Sequence, residues 1–236
     1  MFINGFDILW DEIDDYVADI KSIRSIDQFT FTKPVTFFCG ENGSGKSTLL
    51  EALAIKNGLN PEGGTRNYNF STYDSYSNLH KHMRLWRSRK PDWMYFLRAE
   101  SFYNVATKEM EYSGVFSERY HDQSHGQSFF SVLMKQTNKN GLYLLDEPEA
   151  ALSCQNQLAL LYLIQSCVKQ NCQFIIATHS PILLGFPNAQ ILSFDEDKVE
   201  EVDYKSTSSY QTMKLFLDRY DYFVKDIQEN NDGGIL

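Results

Sequence analysis

Zinc-ligand spacing is the first thing this chain lacks. Its four cysteines, Cys39, Cys154, Cys167 and Cys172, form no CxxC pair, and 236 residues are enough to fold without disulfide staples. They read as reduced core or surface thiols of a cytoplasmic protein. Basic charge is also in short supply. Lys and Arg number 22 against 31 Asp and Glu, a net charge of −9. That balance excludes a chain built for indiscriminate binding to nucleic acid or anionic lipid, although it leaves room for a local basic patch. The acidic stretch from Met1 to Tyr16 has no basic n-region, so no secretory signal is expected there. One run without charge, Gln170 to Phe194, is long enough to span a bilayer. It is interrupted by His179, Pro181, Gly185 and Pro187, and two short buried strands with a turn account for it better than a membrane helix. Internal repeats and low-complexity tracts are missing too.

Apolar residues are plentiful. At 42% hydrophobic and 14% aromatic, the chain can bury a proper core, and a single domain over residues 1–236 is expected. FTFTKPVTFFC (29–39) reads as a strand that becomes buried on both faces, and LLEALAIKN as a helix stopped at Gly58. Residues 58–78 read as loop. LHKHMRLWRSRK (79–90) is predicted helical, with five Lys and Arg and no acid. Strands are expected at DWMYFLRAESF (92–102), GLYLLDE (141–147), QFIIATHS (173–180) and AQILSFDED (189–197), with KVEEVDY as a hairpin partner. Helices are expected at 127–136, 158–170 and 209–228. Alternating buried strands and helices imply an α/β fold, a mostly parallel sheet flanked by helices.

Three stretches carry chemistry. Gly40-Glu41-Asn42-Gly43-Ser44-Gly45-Lys46-Ser47, followed by Thr48, fits G-x-x-x-x-G-K-[ST] between a strand and a helix. Its glycines let the backbone curl so that N–H groups face phosphate oxygens, and the helix N-terminus adds partial positive charge. Lys46 is placed to reach the β- and γ-phosphates and Ser47 to ligate Mg²⁺. LYLLDE ends a buried strand in two carboxylates, Asp146 for Mg²⁺ and Glu147 to polarise a water. IIATHS ends a third buried strand at His179, a candidate for contact with the γ-phosphate; taken alone, a histidine is more often a satisfied core or surface residue.

The order phosphate loop, SHGQS, LLDEPEAALS, IIATHS resembles the nucleotide-binding domain of ABC-type ATPases. The DEPEAAL and THSPILL wording is closer to the soluble branch with RecF- and SMC-type members. The whole chain also resembles small stand-alone AAA/ABC-like ATPases. The resemblance implies a P-loop NTPase that binds ATP and Mg²⁺ and hydrolyses ATP. It implies a small helical lobe, at roughly 79–138, carrying the signature. It also implies a homodimer that sandwiches ATP between one chain's phosphate loop and the other's signature. That signature is Ser124-His125-Gly126-Gln127, lying 22 residues ahead of Asp146. Ser124 would offer its hydroxyl and Gly126 a bare backbone N–H to the phosphate. His125 departs from the small residue usual in the LSGGQ pattern. Taken alone, the stretch would read as a capped helix start after a loop.

Two further departures leave roles open. Ser153 stands where the segment Ala150-Ala151-Leu152-Ser153 usually ends in Asp. The glutamine that the family resemblance implies at the polar end of MYFLRAES is missing, so Arg98, Glu100 or Ser101 must substitute, Glu100 toward Mg²⁺ or water and Arg98 toward phosphate. A structural salt bridge between Arg98 and Glu100 is an equal reading. Tyr16 is a candidate to stack on adenine, with a core aromatic as the plainer reading. The basic run Lys81, Arg84, Arg87, Arg89, Lys90 around Trp86 suits nucleic acid or an acidic partner, or simply a solvated face. The span from Lys46 to Ser124 is too short for an SMC-like arm. No length is spare for a nuclease domain, so such chemistry in DNA repair or anti-phage defence would need a partner protein. The alternatives are the ATPase subunit of an ABC transporter and a small-molecule kinase.

Overall fold

Strands β3 (Val35–Cys39), β6 (Gly141–Asp146) and β7 (Gln173–Ala177) are buried at every residue. Continuous burial is what a parallel strand covered on both faces requires. The two faces separate cleanly by the two-residue period. Phe38, Leu142, Leu144, Ile175 and Ala177 enter one apolar cluster. Phe37, Cys39, Tyr143, Leu145, Phe174 and Ile176 enter the other. Shortening a fully buried side chain such as Leu144 to Ala in such a layer costs about 2–5 kcal/mol.

The structure, a computed structural model, describes residues 1–65, 76–99, 131, 133–137 and 140–229. Its larger sheet has the order β5-β6-β7-β3-β8-β9, with β5 at Trp93–Arg98, β8 at Gln190–Ser193 and β9 at Glu200–Glu201. All pairings are parallel except the β8–β9 hairpin. The Asp146↔Ala177 and Phe38↔Ala177 registers align the carboxyl ends of β6, β7 and β3 along one edge. Loops leaving this edge form the site, as is general for open α/β sheets.

A three-stranded antiparallel sheet, β2-β1-β4, lies beside it, with β1 at Ile3–Ile8, β2 at Gln28–Thr30 and β4 at Met83–Arg87. Gln173 of β7 ties the two sheets together: its Oε1 accepts from Phe2 and Ile3 N–H at 2.7 and 3.0 Å, and its Nε2 donates to the Ile3 carbonyl. The helix expected over 79–90 is therefore corrected. Only Leu79–His82 is helical, and the next five residues form β4 paired with β1. Likewise 29–39 is two strands split by a turn. Residues 79–98 of the expected helical lobe thus contain two strands; 131 and 133–136 are helical, and the stretch carrying the signature lies outside the described residues.

Helix α1 spans Lys21–Arg24 and α2 spans Lys46–Lys56. Helix α2 ends where Gly58 takes φ 77°, a left-handed conformation open to glycine. Helix α3 is Leu79–His82 and α4 is Cys154–Lys169, capped by the Ser153 side chain on the Asn156 N–H. Helix α5 spans Pro181–Leu184. The expected C-terminal helix is two pieces, α6 (Ser208–Asp218) and α7 (Tyr220–Glu229), divided at Arg219, and neither has a buried residue. Cys39, Cys167 and Cys172 are buried and Cys154 is exposed, all four as free thiols.

Candidate active site

The phosphate loop runs from the end of β3 into α2. Gly45 stands at the α2 N-cap with φ 96°, and a Cβ there would lie 2.7 Å from Ile23 Cδ1. Side-chain-bearing residues are excluded twice over, by conformation and by space. Gly43 also has positive φ (79°), whereas Glu41, Asn42 and Gly43 are exposed. Lys46 is buried, with Nζ donating to the Gly40 and Glu41 carbonyls at 2.7 Å each. Burial pushes its ammonium below the ordinary lysine value, while Glu147, Asp195 and Asp146 pull it back up.

Ser47, one residue on, donates its hydroxyl to Asp146 Oδ1 at 2.8 Å. This bond joins the first turn of α2 to the end of β6. Asp146 also faces Arg98, whose Nε lies 3.5 Å from Oδ2. Arg98 in turn makes a 2.6 Å ion pair with Glu51 of α2 and donates to the Pro61 carbonyl. Burial holds Glu51 above the ordinary carboxylate value, and Arg98 draws it down. Arg98 is thus lodged between α2 and β6. Its suggested partner Glu100, and Ser101, lie outside the described residues, as do Ser124, His125, Gly126 and Gln127.

Glu147 is held in the left-handed region (φ 48°, ψ 49°), a conformation that costs a non-glycine residue about 1–3 kcal/mol and tends to persist at functional sites. Its N–H donates to the Ala177 carbonyl, and its carbonyl accepts from the Ala150 N–H. The turn aims its side chain at the end of β7, where Oε1 lies 3.6 Å from His179 Nε2. His179 Nε2 is buried and has no hydrogen-bond partner among the described residues. Lys46, Ser47, Asp146, Glu147 and His179 therefore converge on the carboxyl edge of three neighbouring strands.

Sequence reasoning missed Asp195, Glu51 and Glu149. Asp195, after β8, accepts from the Glu41 N–H at 2.8 Å and from Ser208 at the start of α6. Its place at a strand's carboxyl end was the one available signal. Glu149 accepts from the His179 N–H. Tyr16 is not a core aromatic: it is 53% exposed and lies beside Thr48 of α2. The basic run is engaged in the fold in part, with Lys81, Arg84 and Lys90 exposed. Arg87 donates to the Lys56 carbonyl and Asn57, Arg89 packs over the Phe2 ring, and Trp86 bonds Asp7.

Among the described residues no helix is long and apolar enough to cross a membrane. Two family models match: an AAA domain over residues 17–84 and an AAA ATPase domain over residues 125–184. An uncharacterized ABC transporter ATP-binding protein of Haemophilus influenzae is 27% identical over 196 residues, covering 72% of this chain and 73% of the relative. The cytochrome c biogenesis ATP-binding export protein CcmA of Rhizobium etli is 30% identical over 171 residues, covering 65% of this chain and 78% of the relative. A solved metal-chelate type ABC transporter in an inward-facing conformation aligns with TM-score 0.51 and 17% identity over 90% of this chain and 88% of that one, a likeness of fold. The CcmA match, covering most of that protein, together with the ATPase domain matches and the shared fold, makes this chain a member of the ABC-type ATPase family, an ATP-binding ATPase with the P-loop α/β fold.

Proposed function

We propose that the chain hydrolyses ATP with Mg²⁺ at the carboxyl edge of its sheet, with each ATP held between two copies. The convergence of Lys46, Ser47, Asp146, Glu147 and His179 carries this reading. The amides of Asn42, Gly43, Ser44 and Gly45, with Gly40 and Thr48 flanking, cradle the phosphates, and Lys46 neutralises the β- and γ-oxygens. The Ser47 hydroxyl and the Asp146 carboxylate suit Mg²⁺: both are hard oxygen donors, already 2.8 Å apart, and Mg²⁺ in phosphate sites needs only one or two protein ligands. Glu100 is a third candidate. When bound, the metal neutralises charge on the phosphates.

Glu147 takes a proton from the attacking water as its oxygen bonds the γ-phosphorus. The bond to the β–γ bridging oxygen breaks, and ADP and phosphate leave. His179 stands beside Glu147 to contact the γ-phosphate and register its loss. Tyr16, exposed beside Thr48, offers a surface for adenine. Ser124, His125, Gly126 and Gln127 of the second copy close the site; this half rests on the family resemblance. Replacing Glu147 with Gln keeps the shape and removes the base. Mg²⁺-dependent phosphate release should fall ~10²–10⁴-fold while nucleotide binding persists. An unchanged rate would refute the assignment.

A second reading, the ATPase subunit of a transporter, is favoured by the names of the curated relatives. Co-purification with an integral membrane protein would support it. A role in DNA repair or anti-phage defence with a nuclease partner has thinner support, because Arg87 and Arg89 are occupied by contacts within the fold.

A further inference from the structure

The end of β6 and the turn after it carry three carboxylates, Asp146, Glu147 and Glu149, and the roles above use two. The third, Glu149, lies in a 3-10 turn at Pro148–Ala151. Its Oε1 accepts from the His179 N–H at 2.5 Å and from the Ser180 N–H at 3.2 Å. Its other oxygen, Oε2, is buried with no hydrogen-bond partner among the described residues. The carboxylate is therefore committed to two consecutive amides of the segment that carries His179. Bonds from N–H groups to an ionised acceptor are among the stronger hydrogen bonds.

Capping of α5 does not explain this contact. The Ser180 hydroxyl already performs that task by accepting from the Ile182 and Leu183 N–H groups at 3.1 and 3.2 Å. Glu149 acts one step earlier, on the main chain of His179 itself. The imidazole then reaches back to the same turn, with Nε2 3.6 Å from Glu147 Oε1. Glu147 and Glu149 flank Pro148, whose ring fixes φ and limits the freedom of the turn between them. The result is a closed circuit: Glu149 holds the backbone of His179, the imidazole faces Glu147, and Glu147 connects through Pro148 to Glu149.

We infer that Glu149 is a positioning residue for hydrolysis. It fixes the main chain of His179 so that the imidazole stands beside the Glu147 carboxylate, and it acts on the hydrolytic step without touching the nucleotide. This rests on the roles proposed above for Glu147 and His179. A displacement of about an ångström in such a group can lower a rate by about 10²-fold.

The test compares Glu149→Ala, Glu149→Gln and His179→Ala in the full chain. Three quantities are measured: the His179 backbone amide shift by NMR, ATP affinity, and kcat. The expected result for Glu149→Ala is an upfield-shifted His179 amide proton, kcat lowered about 10- to 100-fold, and ATP affinity unchanged. Glu149→Gln retains an acceptor oxygen and should recover most of both the amide shift and kcat. A wild-type amide shift or a wild-type kcat in Glu149→Ala overturns the inference, and so does a loss of ATP affinity that matches the loss of kcat. A wild-type kcat in His179→Ala overturns the proposed role of His179 instead, and the amide shift then still reports whether Glu149 holds that segment.

Discussion

The Ser47 hydroxyl and the Asp146 carboxylate meet at 2.8 Å, although 99 positions separate them in the chain. Burial of β6 and the phosphate loop's turn into α2 bring them together. If the pair holds Mg²⁺, Asp146→Asn should demand far more Mg²⁺ for half-maximal phosphate release than the wild type, and Ser47→Ala somewhat more. A Mg²⁺ titration of turnover checks this. Unchanged curves for both variants would make the pair purely structural.

Arg98 is expected to stabilise the fold by neutralising Glu51. Glu51 has a raised pKa in the folded chain, so the folded state binds its proton more tightly than the unfolded state. Its contribution to stability therefore falls as pH rises from the ordinary carboxylate value through the raised one. Removing Arg98 deepens that loss, because a largely buried carboxylate then lacks its counter-charge. Arg98→Ala should cost on the order of 2–3 kcal/mol in urea melts at pH 8 and less at pH 5. Equal losses at the two pH values would contradict this account.

The thiols should divide three to one. Burial pushes Cys39 up to about 12 and Cys167 up to about 11, and raises Cys172 as well, whereas Cys154 is exposed. The thiolate is the reactive form. A thiol reagent at pH 8 should therefore modify one equivalent quickly, and Cys154→Ser should abolish that phase. Two or more fast equivalents in the native protein would count against the packing described.

The central strands were legible because burial on both faces leaves an unbroken apolar run, as in Leu142–Leu145. The phosphate loop was legible because its geometry demands glycine at fixed positions, as at Gly45. β4 was not. Met83 and Leu85 do alternate with Arg84 and Trp86, but the dense basic charge suggested a solvated helix face, and only pairing with the distant β1 reveals the strand. The C-terminal helix was foreseen from its apolar spacing, yet its break at Arg219 and its lack of buried residues were not. In the site, motifs identified Lys46, Asp146, Glu147 and His179. Of the residues that hold them, Arg98 was named from its place at a strand end, but its partner Glu51 was not, nor were Glu149 and Asp195. They act through contacts across the fold, which spacing along the chain does not encode.

The claim that ATP is held between two copies is tested most directly by light scattering on Glu147→Gln with Mg²⁺, with and without ATP. The account predicts one chain's mass without nucleotide and twice that mass with ATP, the doubling being lost when Gly126→Asp is added. A single-chain mass at saturating ATP, with nucleotide demonstrably bound, would contradict it.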